Sequence, residues 1–146
     1  MSLEENKAIV RRWIEAYNKH DLALDDLMAP DFFDHALQLR GLDSFKQFYA
    51  MFFKGFPDTH ATIDDITAEG DKVWSRSTVT GTHTGEYRGL PPTGKKITFT
   101  GVDICRIVDG KIVETWSVTD LLDFYKQLGV IEYTEKAKKL FPEDVK

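Results

Sequence analysis

Residues 97–120, ITFTGVDICRIVDGKIVETWSVTD, decide the fold. Two runs rich in Ile, Val, Thr and Phe, 96–108 and 111–119, flank Asp109-Gly110. An Asp-Gly pair between such runs is the signal of a two-residue hairpin turn. Counting back from that turn sets Val108 opposite Lys111 and Ile107 opposite Ile112. Continued without interruption, the count sets Asp103 opposite Trp116 and Phe99 opposite Asp120. Side chains alternate between faces along a strand, so Phe99, Asp103, Trp116, Val118 and Asp120 are expected on one face. A like register in the preceding strand adds Val79 and His83. This face is apolar and aromatic but carries two carboxylates, and acids in such company need a reason.

Upstream, runs 60–68 and 73–83 alternate as strands around the turn Glu69-Gly70-Asp71. Before them the period changes to that of helices. Ser2 and Glu5 have the spacing of a capping box, and Ile9, Val10, Trp13, Ile14 and Tyr17 follow as one apolar stripe. After a break at 18–21, a short second helix is expected with Leu24, Leu27 and Met28 inward, ending before Pro30. Residues 31–35 read as extended. A third helix opens at 41–43, places Phe45, Phe48, Tyr49, Phe52 and Phe56 on one face, and stops at Gly55 and Pro57. Residues 84–95 form a Gly- and Pro-rich loop long enough to act as a mouth or a partner contact. Residues 121–128 make a short helix closed by Gly129, and Thr134 caps a last polar helix before Phe141-Pro142. Helices first and an antiparallel hairpin sheet second give an α+β fold. The expected shape is a cone-shaped, curved mixed or antiparallel sheet with the helices over its concave face, an α+β barrel in one domain over 1–146.

The 146-residue length suits one core, and 42% apolar with 29% charged residues suits a soluble globular chain. One cysteine, Cys105, leaves no internal disulfide and no thiolate cluster. A net charge of -5 argues against nucleic acid. Neither a membrane span nor a secretory leader is legible, which points to the cytoplasm. Ten Phe, five Tyr and three Trp are a heavy aromatic load, fit for a core or for a pocket holding a flat, apolar small molecule.

Asp120 is the sharpest candidate for chemistry. Next to an apolar wall its pKa would rise, preparing it for proton transfer; equally, it precedes Leu121 and can cap the next helix. Asp103 is a second pocket acid or the partner of Arg76 or Arg106, although parity sets Arg106 on the other face. His35, in the extended piece, and His83, flanked by small residues, could each polarise a carbonyl or shuttle a proton. Trp13, Phe48, Phe52, Phe99 and Trp116 would wall the cavity. The histidines lack metal-ligand spacing, and no GxGxxG, GxxxxGK[ST] or GxSxG is present. No metal and no nucleotide cofactor is therefore expected.

FFDHA at 32–36, GTHTGEYRGLPPTGKKI at 81–97, DICRIVDGKIVETW at 103–116 and DLLDFYKQLG at 120–129, in this order and spacing, resemble the SnoaL-like polyketide cyclase family. The resemblance spans residues 33–129. It implies the cone-shaped barrel of nuclear transport factor two-like proteins, dimers or tetramers, and no cofactor. It further implies an intramolecular aldol ring closure in which an aspartate after the last strand, here Asp120, serves as acid and base. Many relatives read Glu-His-Trp where this chain has Glu114-Thr115-Trp116, and the hairpin count places Thr115 away from Asp120.

Three readings follow. The first is a cyclase for a flat polycarbonyl substrate, with Asp120 as base and His35 or His83 polarising an oxygen. The second is a non-catalytic binding module with the same apolar cavity. The third is another cone-fold enzyme, a ketosteroid-type isomerase or an epoxide hydrolase; the last would need Asp103, Arg76 and Asp120 to converge. The opposite sheet face, with Val102, Ile104 and Val113, is expected to be covered by a second subunit in a homodimer or homotetramer.

Overall fold

The computed structural model describes residues 1–142; the last four residues of the expected domain lie outside it. The chain runs α1 (Leu3–Asn18), β1 (Met28–Asp34), β2 (Leu39–Arg40), α2 (Leu42–Gly55), β3 (His60–Glu69), β4 (Lys72–Thr82), β5 (Lys96–Val108), β6 (Lys111–Thr119), α3 (Leu121–Leu128) and α4 (Glu135–Leu140). The six strands form one curved, open sheet in the order β2-β1-β6-β5-β4-β3. All neighbours are antiparallel except β1 and β6, which run parallel. The helices α1 and α2 fill the concave side, so the fold is mixed α+β as the hydrophobic periods predict.

The helix α1 starts where expected. Ser2 accepts the Glu5 N–H, and Glu5 accepts the Ser2 N–H in return. Its stripe of Ile9, Val10, Trp13, Ile14 and Tyr17 is buried. At its end, Asn18 closes both backbone groups of Ala61 at 2.7 and 2.9 Å, and Tyr17 meets Thr59 at 2.7 Å, locking the helix onto β3. Burial pushes the Tyr17 hydroxyl up to about 12, so it stays neutral.

The expected second helix does not form. Residues 25–27 are a turn, in which Leu27 and Met28 both donate to the Leu24 carbonyl, and the chain enters β1 at Met28. Leu24, Leu27 and Met28 are inward as predicted. With Pro30 so close, the segment is too short to propagate a helix, and pairing of Met28 with Ile112 supplies strand hydrogen bonds instead.

The second departure is in the hairpin. Val108 faces Lys111 and Ile107 faces Ile112, but the next pair is Arg106 with Glu114. Val113 is an extra residue on β6, a β-bulge, and every later side chain changes face. Asp103 therefore opposes Ser117, and Trp116 opposes Ile104. Cys105, Thr115, Ser117 and Thr119 look into the concave side, while Trp116 and Val118 join the convex one.

The loop from 84 to 95 is rooted on α2. Thr84 and Gly85 both donate to the Gly55 carbonyl, at 3.2 and 3.1 Å. A Cβ on Gly85 would overlap the Lys54 carbonyl, so only glycine permits this approach. Beyond the root, Tyr87 is buried against Phe52 and Phe56, while Arg88 is exposed.

Candidate active site

Between the helices and the concave sheet lies a cavity of 280 Å³. Trp13 and Tyr17 from α1, Phe45, Phe48, Tyr49 and Phe52 from α2, and Phe99, Tyr87, Phe124 and Tyr125 give it an aromatic wall. Ala36, Leu37, Arg88 and Leu121 line it where exposed or half-exposed residues form a mouth. Arg88 is the only basic residue lining it among the described residues.

The floor is polar. Asp103 lies in one register row with Ser75 of β4 and Ser117 of β6. The Ser117 hydroxyl donates to Asp103 Oδ1 at 2.5 Å. Burial raises the Asp103 pKa; the Ser117 bond acts in the opposite direction, and the nearby Asp34 adds to the rise. Asp34 is buried, accepts the Leu37 N–H at 2.7 Å and the Thr115 hydroxyl at 2.9 Å, and also lines the cavity. Tyr49, likewise on the wall, is kept neutral because burial lifts its pKa well above the ordinary value.

The structure gathers five of the residues singled out from sequence around this space: Trp13, Phe48, Phe52, Phe99 and Asp103. The other four lie elsewhere. Trp116 is on the convex face, stacked on His35 with centroids 4.6 Å apart, because the Val113 bulge reversed its direction. His35 points the same way and bonds Glu114 Oε2 at 2.7 Å; with Arg106 it holds the Glu114 carboxyl below the usual range. His83 is not accessible between its small neighbours but fully buried, stacked on Phe56, with Nδ1 accepting the Thr93 N–H at 3.2 Å. Asp120 is exposed and caps α3, accepting the Asp123 N–H at 3.1 Å. It sits between Thr119 and Leu121, which both line the cavity.

Arg76 lies on the convex side, near Asp64 at 3.8 Å, so the acid–arginine–acid cluster of an epoxide hydrolase does not assemble. Arg106 pairs with Glu114 and not with Asp103. Cys105 is buried, and burial pushes its thiol up, as an inert mid-strand cysteine requires. Among the described residues no group of three His, Cys, Asp or Glu side chains converges on a metal position.

Sequence reading missed Asp34, Tyr49, Ser77, Ser117 and Arg88. The signal for Asp34 was available: it is two residues from the buried Phe32, so it shares that face, whereas His35 shares the outer one. Thr115 was assigned to the wrong side for the same reason as Trp116. Here it holds Asp34 from below. Thr115→Val is expected to leave Oδ2 of this buried side chain unpaired and lower stability by about 1–3 kcal/mol, measured by urea unfolding. A loss below the error of that measurement would show that the bond is not needed.

The profile of the SnoaL-like polyketide cyclase family matches residues 7–128. The aklanonic acid methyl ester cyclase DauD of Streptomyces sp. (strain C5) is 33% identical over 129 residues, 83% of this chain and 80% of that one. Among solved structures, TsrD from Streptomyces laurentii superposes with a TM-score of 0.83 at 27% identity, over 90% of this chain and 99% of its own. AclR from Streptomyces galilaeus gives a TM-score of 0.80 at 32% identity, over 90% of this chain and all (100%) of its own. The chain belongs to the SnoaL-like polyketide cyclase family.

Proposed function

We propose that the protein closes a ring in a flat polycarbonyl substrate by an intramolecular aldol reaction, with Asp103 exchanging the proton. The observation that carries this reading is a carboxyl enclosed at the floor of an aromatic cavity. The Asp103 carboxylate removes a proton from a carbon flanked by two carbonyls. The C–H electron pair moves onto oxygen, and the enolate carbon attacks a second carbonyl of the same molecule. A C–C bond forms, the attacked C=O becomes an alkoxide, and the proton on Asp103 returns to it. No electrons are gained or lost overall. A raised pKa suits both halves of the exchange. The names of the curated relatives, cyclases of aklanonic or nogalonic acid methyl ester, support the methyl ester of a polyketide acid as the substrate class.

A second reading keeps the acid–base role at Asp120, as the family resemblance implies. The placement of Asp120 between two cavity-lining residues favours it, and its side chain would have to leave the α3 cap to reach inward. Comparing Asp103→Asn with Asp120→Asn decides between them. If neither variant slows turnover of a ring-opened substrate, neither acid is the base; if the wild type binds such a substrate without turning it over, the cavity only binds.

The convex face supports a homodimer. Trp74, Ile104 and Trp116 lie in one row across β4, β5 and β6, and Val102 and Val118 form the next. Trp74 is 46% and Val118 76% exposed. Arg76 and Arg106 stand on this face with Glu114 and Asp64, so two copies related by a twofold axis can pair opposite charges. Trp74→Glu with Val118→Glu is expected to convert a dimer to a monomer in sedimentation velocity. A wild-type monomer at micromolar concentration would refute this.

A further inference from the structure

Two buried polar groups in the cavity wall close no hydrogen bond. Trp13 Nε1 and Ser77 Oγ are both sealed from solvent, both without a hydrogen-bond partner, and both on lining residues that are 4% exposed. Elsewhere on the wall, Ser117 serves Asp103, Thr115 and Leu37 serve Asp34, and Tyr17 pairs with Thr59. Buried donors are rarely left orphaned, and those that are call for an explanation. An indole N–H can only donate. The Tyr49 hydroxyl stands beside Trp13 Nε1 without closing a hydrogen bond to it, so an acceptor atom of a ligand can complete this N–H.

The placement tells which acceptor. Ser77 faces Gly101 across β4 and β5, and Asp103 is one two-residue step beyond Gly101 on the same face. Such diagonal neighbours stand about 7–8 Å apart, room for one H–C–C=O unit with its hydrogen on the acid and its oxygen on the hydroxyl. Gly101 leaves that floor open: a Cβ there would come within 3.1 Å of Thr119 Oγ1. Trp13 belongs to α1, which packs over β3 and β4 and so roofs the same strand. Both donors are uncharged. A cation in their place would pair with Asp103 and hold its pKa down; the one arginine of the cavity is kept at the mouth.

We infer that Trp13 Nε1–H and Ser77 Oγ–H hold the substrate oxygen on which negative charge develops as Asp103 takes the proton. This rests on the cyclase reading, yet it has its own test. The two groups do for the enolate what was expected of His35 or His83. Preorganised neutral donors of this kind contribute about 10²–10³-fold to rate each.

The test is binding of 2-naphthol and naphthalene, followed by naphthalene-ring fluorescence. The two probes differ by a single oxygen. Wild type is expected to prefer 2-naphthol. Ser77→Ala and Trp13→Phe should each weaken 2-naphthol by about five- to tenfold, the loss of one hydrogen bond, and change naphthalene by less than about twofold. Ser77→Ala removes one atom, so it carries the test if Trp13→Phe does not fold. Equal loss for both probes, no loss for either, or no preference by wild type would overturn the inference. A silent Asp103→Asn variant would remove Asp103 as the base and leave this oxygen site standing; unchanged probe affinities would do the reverse.

Discussion

Asp103→Asn is expected to fold and to turn over a polycarbonyl substrate about 10²–10⁴-fold more slowly, the usual cost of deleting a general base. Asparagine keeps the shape and can still accept from Ser117, so packing is conserved while proton affinity is removed. Asp120→Asn is the matched control. Asn and Asp are equally good helix caps, so this change leaves α3 anchored and alters only the acidity at the mouth. With Asp103 as base, Asp120→Asn keeps a near-wild-type rate; a large loss there with a mild one at position 103 would transfer the role to Asp120. The pH profile gives an independent check. Burial holds the Asp103 pKa above its ordinary 3.8, so the acid limb of kcat/KM should lie above the usual carboxylate range. Ser117→Ala removes the bond that opposes the rise and should move the limb further up. Stability follows with a definite sign. The folded-state pKa exceeds the unfolded one, so ionising Asp103 lowers stability as pH climbs past 3.8, and the loss is complete above the folded value. Asp103→Asn should therefore gain melting temperature over wild type at neutral pH, and the gain should vanish below that window.

Phe56→Ala is expected to lower stability by about 3–5 kcal/mol, the range for removing a fully buried aromatic ring. The ring is 0% exposed and stacks on Phe52 at 4.7 Å and on His83 at 5.2 Å. It also meets Tyr87 at 5.4 Å and Phe124 at 5.8 Å. Phe52, Tyr87 and Phe124 each also line the cavity. Phe56 thus backs three elements at once: the end of α2, the loop at Tyr87, and α3. Its loss should also raise KM, because three lining rings lose the same support. Urea midpoints and saturation curves measure the two effects, and a midpoint shift without any change in KM would separate the brace from the wall.

The element pattern was readable because it rests on local periods. Capping at Ser2, the turn at Asp109-Gly110 and the aromatic stripe from Phe45 to Phe56 each specify their own segment. What failed was a long-range quantity. A single extra residue, Val113, is invisible to composition, since the run reads as strand with or without it. Hydrophobic preference made the error worse. It favours the register that turns Trp116 and Val118 inward, but those side chains belong to the convex face, and the inner positions are Thr115, Ser117 and Thr119. The five cavity residues found from sequence were those whose direction does not depend on β6: three from helices and two from β5. Asp120, His35 and His83 were chosen for their chemistry, and their placement depended on register or burial that residue type does not encode.

The glycine contact that fastens the 84–95 segment to the end of α2 has a consequence for how this scaffold can diversify. Because the two feet of the segment are held by α2 and β5, only its tip is free to change length. Shortening or extending the tip would resize the doorway while the floor around Asp103 stays where it is, so new guests can be admitted by insertions and deletions and not by rebuilding the interior.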